Sequence, residues 1–283
     1  MWGDDLRSER ANGTGMRYYW LAAAIMGATV ANVADAQSLD SLPFGNGELL
    51  TFSVRASKFG TVGRAVMAIS GPVEIRGVET MLVTFDTHLR VLLMKSSDDN
   101  RSWIDPRRMT SLRYEKHERH PFSSEDDSVE IYPNLHYWTG THGATGSTTG
   151  EAPLDELSFV YFLRTVTLLP DSIYAFDRHY DKRRIPTTVR FVKRDTLRTP
   201  AGEFDTVELE MRSKNGVDFK GEWVLRLWIS EDPCRLPVRM ESVVPLLGKG
   251  VMTLESAVTP TCQSMAGSSA RGLAASARLA KKR

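Results

Sequence analysis

The strongest constraint on the fold is a stretch of alternating residues at positions 223–241, WVLRLWISEDPCRLPVRME. Large apolar residues occupy every second position on both sides of a Ser-Glu-Asp-Pro break. A period of two, with aromatic and β-branched residues, is typical of a β-strand. The break favours a turn, because its polar side chains bond to nearby backbone and Pro233 has no N–H for a ladder. We therefore predict a strand, a tight turn and a returning strand.

The same alternation recurs along most of the chain. It is most regular at 203–212, where Val207, Leu209 and Met211 oppose acidic and basic residues. The other predicted strands are 48–57, 62–70, one or two within 73–91, 101–105, 109–119, 128–138, 173–180, 186–195 and 250–258. We predict a polar turn at Asp98-Asp99-Asn100 and a flexible loop over Gly140–Pro153, because both are rich in turn-forming residues.

One segment predicts a helix, at about 155–168. Asp155 is a favourable N-cap residue, and Glu156 suits the positive end of the helix dipole. Pro170 predicts a stop. The segment is apolar nearly all round, so the helix should be buried. The sequence thus predicts an all-β, mainly antiparallel protein of about ten to twelve strands, curved into a barrel or half-barrel with one buried helix packed against it.

The N-terminal segment predicts export. An apolar run after Arg17 ends at Ala34-Asp35-Ala36, the small-x-small pattern of a signal-peptidase site. We assign 1–36 to a leader and signal peptide, with translation starting at Met1 or Met16, and 37–262 to a single β-rich domain. Residues 263–283 form a basic Ser/Ala/Gly-rich tail that we predict to be disordered. The expected location is the periplasm or cell envelope, and after cleavage no integral membrane segment is expected.

Charge and cysteine content narrow the functional classes. The chain has 36 Lys and Arg against 35 Asp and Glu, so nothing in its overall charge favours nucleic acid. Two cysteines alone cannot build a zinc ribbon or an iron–sulfur site, and we expect no cofactor and no metal site. In an oxidising compartment Cys234 and Cys262 either form a disulfide or remain two unpaired small residues.

Four stretches, in order and spacing, resemble one known family. They are 43–69, 154–164, 199–211 and 227–241, and they resemble domain of unknown function 3108, a family of exported bacterial proteins. The resemblance covers roughly residues 42–260. It implies an exported, β-rich protein, and it brings no catalytic or binding residue with it.

Four residues are candidates for ligand binding. Arg164 lies in the apolar helix, where a guanidinium needs a carboxylate or several carbonyls. It forms either an internal ion pair, the simpler interpretation, or an anchor for an anionic head group. Tyr161 lies near it on the helix. Trp223 and Trp228 lie on opposite faces of one strand, so one of them could line a cavity, although ordinary core packing is the favoured explanation.

Motifs for catalysis and metal binding are weak. Ser158 lacks a nucleophile-elbow motif, and a serine at the third helical position commonly belongs to a cap. His117 and His120 are spaced as HxxH, but on a strand such residues point to opposite faces. We therefore assign no catalytic residue.

The favoured function is a non-enzymatic exported protein whose barrel binds an apolar or amphipathic ligand, such as a lipid or lipid-linked molecule. The alternative is a structural or assembly factor of the cell envelope that binds protein partners. An envelope hydrolase is the third hypothesis. It ranks last because the sequence offers no residues for a catalytic site.

Overall fold

The structure is a computed structural model that describes residues 42–214, 222–244 and 248–262. These residues form one antiparallel sheet of 14 strands and one α-helix of two turns. The elements are β1 (Leu49–Ala56), β2 (Gly60–Ile75), β3 (Val78–Val91), β4 (Met94–Asp105), β5 (Thr110–His120), β6 (Ser123–Tyr132), β7 (Tyr137–Gly140), β8 (Thr145–Ser147), α1 (Glu156–Leu163), β9 (Ile173–Phe176), β10 (Thr187–Thr199), β11 (Gly202–Lys214), β12 (Glu222–Ser230), β13 (Pro237–Val244) and β14 (Gly248–Val258).

The sheet is built from two meanders joined in the middle. Its order is β8-β7-β6-β5-β4-β3-β2-β1-β14-β13-β12-β11-β10-β9, so the first strand pairs with the last one. Leu49 lies opposite Val258, and Ala56 lies opposite Gly250. The sheet is curved but not closed, with β8 and β9 as its edges. The predicted all-β fold with one packed helix is confirmed.

Connecting segments bridge the two edges. Leu154 forms an isolated bridge with His179, and the Ser111 N–H donates to the Pro153 carbonyl. The rings of Trp138 and Tyr180 meet edge to face at 5.5 Å. Through these contacts, the segments that lie between β8 and β10 cover the open side of the sheet.

The two faces of the sheet differ in chemistry. The concave face carries the main apolar core, which includes Phe52 of β1 and Leu227 of β12 together with helix α1. The convex face carries rows of charged residues in which the buried Glu208, Glu210 and Glu241 pair with arginines or lysines. Alternation along each strand therefore places the apolar set inside and the ion pairs outside.

The helix is shorter than predicted. It spans Glu156–Leu163 rather than 155–168, and Asp155 caps it as predicted by accepting hydrogen bonds from the Leu157 and Ser158 N–H groups. The last turn tightens at its end, where the Arg164 N–H donates to the Tyr161 carbonyl and the Thr165 hydroxyl donates to the Phe162 carbonyl. The β-branched residues that follow disfavour further helix.

One predicted turn is wrong, and one predicted loop contains a short strand. Asp98-Asp99-Asn100 lies within β4, where Asp98 is paired with Glu118 across the ladder. The chain turns instead at Leu92-Leu93, with Leu92 at a φ of 56°. The loop predicted over Gly140–Pro153 contains strand β8. Polar residues inside a strand and apolar residues in a turn invert the usual hydropathy signal.

Alternate turns of a meander lie at the same end of a sheet. The β1–β2, β3–β4 and β5–β6 turns therefore share one end, which we call the tip end and define as residues 56–60, 89–96 and 119–123. Helix α1 begins at the opposite end, because Asp155 bonds Ser102 near the far terminus of β4. The concave face is thus covered at one end and left open at the other.

Several predictions concern residues outside the described part of the chain. They are the leader and signal peptide at 1–36 and the basic tail at 263–283. Trp223 pairs with Ser213 in the ladder, but its side chain is also outside the described set. The boundaries of the domain at 37–262 stay predictions. Among the described residues, no helix has the length and apolar character needed to cross a membrane.

Candidate functional site

A groove lies at the tip end, and its lining includes consecutive strand residues such as Leu89 and Arg90, which point to opposite faces of the sheet. Its volume is about 490 Å³. Strands β2 to β5 line it, and the residues that give it chemical character are Val62, Leu89, Arg90, Lys95, Arg119 and His120. Val62 and Leu89 belong to or pack on the apolar core, whereas the other four are exposed. The groove therefore has an apolar floor and a basic rim.

Close approach of β2 and β3 shapes this groove. Gly63 lies opposite Leu89 in the ladder. A Cβ at Gly63 would lie 2.0 Å from the His88 carbonyl oxygen, so no larger residue fits there without movement of the backbone. A register shift between Val54 and Arg55 accompanies this contact on the neighbouring β1–β2 ladder.

Two cations on the rim are available to a ligand. Arg90 and Lys95 face each other across the β3–β4 ladder. Among the described residues, neither has an ion-pair or hydrogen-bond partner. Arg119, by contrast, is held by the carboxylate of Asp126 at 2.8 Å and by the Glu118 carbonyl at 2.9 Å. The uncompensated positive charge of the groove is therefore that of Arg90 and Lys95.

An acidic and histidine cluster lies beside the groove, on the concave side of β4 and β5. Alternation places Asp98 on the same face as Ser102, which contacts the helix cap. His120 Nε2 lies 3.2 Å from Asp98 and 3.7 Å from Glu118, and His120 Nδ1 lies 2.9 Å from the Ser96 hydroxyl. Burial, followed by the nearby Glu118 charge, raises the pKa of Asp98 despite the attraction of His120 and Lys116.

The two histidines of the HxxH pattern lie apart. His117 bonds Asp126 through Nδ1 at 2.7 Å, and His120 belongs to the cluster with Asp98. Because side chains alternate between faces along a strand, residues three positions apart lie on opposite faces of β5. They do not form one site.

Arg164 lies in an internal ion pair. Its side chain is 0 % exposed and donates to both carboxylate oxygens of Glu48, at 2.6 and 2.7 Å. It also donates to the carbonyls of Cys234 and Arg235 at 3.1 and 3.0 Å. Burial lowers the pKa of Arg164, but the Glu48 charge outweighs it and the pKa lies above its usual value. This arginine ties the helix end to the start of β1 and to the β12–β13 turn.

The other predicted binding residues do not line the groove. Tyr161 is fully buried, with its ring edge to face against Phe44 at 5.0 Å. Trp228 lies on the convex face, between Glu208 and Arg239 in the ladder, and the Arg239 guanidinium lies 5.3 Å from its ring. Packing within the fold accounts for both side chains.

Cys234 and Cys262 are bonded to each other, with their Cα atoms 5.3 Å apart. Cys234 lies in the β12–β13 turn, and Cys262 follows β14. The bond joins the end of the described chain to the turn whose carbonyls hold Arg164. Disulfide and ion pair therefore stabilise the same corner of the fold.

Ser158 takes part in a polar network at the helix start. Its hydroxyl lies 2.7 Å from that of Ser111 and accepts from the Asp155 N–H at 2.9 Å. The Asp155 carboxylate accepts from the Ser102 hydroxyl at 2.6 Å and caps the helix. Burial raises the pKa of Asp155, although these hydrogen bonds oppose the effect. The hydroxyls of this network serve the cap and the strand contact.

A second charged group lies where the helix meets the covering chain. Glu156 contacts Arg184 and lies 3.5 Å from Nε2 of the buried His179. The Asp181 N–H donates to His179 Nδ1 at 3.0 Å, and this contact fixes the ring beside Glu156. Burial raises the pKa of Glu156, but His179 and Arg184 outweigh it and hold the pKa at about 2.

Comparison with known proteins places this fold. The family model of a protein of unknown function, DUF3108, matches residues 51–255. The chain belongs to the DUF3108 family. This confirms the resemblance seen in the sequence. Comparison with curated proteins gave no significant match.

Solved structures that match this DUF3108 protein include one of similar fold and two with lower TM-scores. A β-barrel-like DUF1849 protein from Brucella abortus superposes with a TM-score of 0.50 at 9 % identity, covering 75 % of this chain and 97 % of that one. A candidate lipoprotein of Parabacteroides distasonis has a TM-score of 0.30 at 10 % identity, with 77 % and 99 % covered. A candidate exported protein of YmcC-like fold from Bacteroides fragilis has a TM-score of 0.32 at 12 % identity, with 77 % and 98 % covered.

Sequence reasoning missed the groove residues. Val62 and Leu89 were assigned to strands, and Arg90 and Lys95 to no site. A usable signal was present, since residues 89–96 read LRVLLMKS, an apolar run flanked by cations without an acidic residue. Such a run between two strands is unusual for a turn, because turns are normally polar.

Proposed function

We propose that this protein is an exported, non-enzymatic component of the cell envelope that binds an amphipathic, negatively charged ligand of the lipid or lipid-linked class. The observation that supports it is the groove at the tip end. Its floor of Val62 and Leu89 suits an apolar chain, and the uncompensated Arg90 and Lys95 suit an anionic head group.

The proposed place of binding, and not the class of ligand, differs from the one expected from sequence. An enclosed apolar cavity inside the barrel was the expectation, whereas helix α1 and the strand side chains fill the covered end of the concave face. Binding is therefore proposed at the open rim, where part of a ligand remains in water. A groove of about 490 Å³ falls within the usual range for small-molecule sites and accommodates a head group with a short length of chain.

The test is native mass spectrometry of protein purified from the envelope of expressing cells, with identification of the lipids carried over. We expect wild-type protein to retain an anionic lipid and the Arg90→Glu/Lys95→Glu variant to lose it. Arg107→Glu/Arg198→Glu is the matched control, since both residues are exposed cations distant from the groove in the sheet.

A wild-type protein free of lipid, or equal retention by the groove and control variants, contradicts the proposal. Filling the groove with Leu89→Trp gives an independent check, because it removes volume without changing charge. It should also abolish retention.

A further inference from the structure

The tip end also carries a set of exposed apolar side chains. Leu92 is 78 % exposed, Leu93 90 % and Phe122 93 %. Phe59 and Met94 are 45 % and 42 % exposed at the same end. These residues occupy three separate turns, those of β1–β2, β3–β4 and β5–β6, and no core residue covers them. Large apolar side chains at turn apices gain nothing for the fold of the described residues.

The three turns form a row. Adjacent strands lie about 4.8 Å apart, so alternate turns are about 10 Å apart and the row spans about 20 Å. A row of this length, with an apolar side chain at each apex, matches a flat surface better than it matches a narrow cleft. An amphipathic surface of this kind enters the boundary between head groups and acyl chains.

The charge of the tip end indicates which kind of flat surface it would bind. Residues 56–60, 89–96 and 119–123 contain Lys58, Arg90, Lys95 and Arg119, but no Asp or Glu. Acidic residues do begin just inside, at Glu118 and Glu125. The cations therefore lie next to the apolar apices, where they would meet phosphate head groups.

The opposite end of the sheet differs. Its turns include Arg76-Gly77, Pro106-Arg107-Arg108 and Glu231-Asp232-Pro233, all of which are polar. Met109, beside the second of these turns, is buried. Among the described residues of that end, Leu135 is exposed at the β6–β7 connection, and Leu49 and Val258 are 43 % and 51 % exposed where β1 begins and β14 ends, but no described turn there carries a row of large apolar residues. The exposed apolar row is thus a property of one end of the molecule.

We infer that the tip end docks on an anionic lipid bilayer, with Leu92, Leu93 and Phe122 inserted and Arg90 and Lys95 at the head groups. Docking in this orientation would turn the mouth of the groove towards the membrane. The inference does not require a ligand in the groove, since the apolar apices lie outside it.

The test is co-sedimentation of the purified full chain with vesicles of phosphatidylcholine alone and of equimolar phosphatidylcholine and phosphatidylglycerol. Wild-type protein should bind the anionic vesicles, and binding should weaken at high salt because exposed charges are screened. The variant Leu92→Ser/Leu93→Ser/Phe122→Ser should bind at least about 10-fold more weakly, because three apolar insertions are removed.

The matched control is Leu135→Ser/Leu169→Ser/Ile173→Ser, which alters three residues that are 65 %, 61 % and 65 % exposed away from the tip end. It should bind like wild type. Thermal unfolding of both triple variants should match wild type, which separates lost docking from lost folding.

Three results would overturn the inference: wild-type protein that stays in the supernatant with anionic vesicles, a tip variant that binds as tightly as wild type, or equal losses in the tip and control variants. A fourth result that would overturn the inference comes from light scattering. A wild-type dimer that becomes a monomer in the tip variant would show that a second copy covers this surface. Retention of a co-purified lipid by the tip variant would leave the groove proposal standing when docking fails.

Discussion

The two ends of the curved sheet differ in the chemistry of the groups that they bury and expose. At the covered end lie the buried ion pair of Arg164 and Glu48, the Asp155 carboxylate that caps helix α1, and the disulfide between Cys234 and Cys262. At the tip end, the concave face is open, and leucine and phenylalanine side chains are 78 % to 93 % exposed. Buried charged groups form ion pairs and hydrogen bonds at one end, and large apolar groups are exposed at the other, so the contacts that stabilise the fold and the exposed apolar surface are separated along the strands.

The largest loss of stability should follow from breaking the buried ion pair. Arg164→Met leaves the Glu48 carboxylate buried without its partner, and unfolding by urea should show a loss of about 3–5 kcal/mol. Arg198→Met removes an ion pair whose arginine is 87 % exposed, and it should cost less than about 1 kcal/mol. The double variant Arg164→Met/Glu48→Met should recover much of the loss. A single variant as stable as wild type would remove the distinction between the two ends.

The disulfide should have the next largest effect. Its cysteines are 28 residues apart, and a loop of that length predicts a loss of about 3.6 kcal/mol in the Cys234→Ser/Cys262→Ser variant. Reductant should destabilise wild-type protein in urea and leave the variant unchanged. A wild-type protein indifferent to reductant would show that the bond does not form in solution.

A pH-dependent loss should accompany Glu156→Gln. Because the pKa of Glu156 is lowered to about 2, its contribution is present above the unfolded value near 4.5 and is lost as the pH falls towards 2. At neutral pH the variant should be less stable by about 1–2 kcal/mol, after allowance for partial exposure. The difference should vanish near pH 2. The exposed Glu151→Gln serves as control, and a difference independent of pH would exclude this pairing as its source.

The smallest effect should come from the tip end itself. Leu93→Ser changes a side chain that is 90 % exposed, so the free energy of unfolding should shift by less than about 0.5 kcal/mol. A destabilisation comparable to that of core truncation would mean that the tips are packed in solution. The contrast between the two ends would then need revision.

Local pattern was enough to predict several elements. The hairpin of β12 and β13 and the Asp155 cap follow from residues within a few positions of each other, where periodicity and capping act. The Leu92-Leu93 turn was missed because its residues are apolar, and Asp98–Asn100 was assigned to a turn because its residues are polar. The Leu92 and Leu93 side chains meet solvent, and the Asp98 side chain meets His120 of the neighbouring strand β5.

The sequence by itself determined the strand alternation, the antiparallel class, the capped helix and membership in the DUF3108 family. Tertiary structure decided which carboxylate meets Arg164, since Glu48 lies 116 residues away in the chain. It also decided that Trp228 lies outside the core and that the apolar apices of three hairpins share one end. Alternation fixes a face within each strand, whereas register and strand order, set by contacts between distant segments, fix which faces and turns come together.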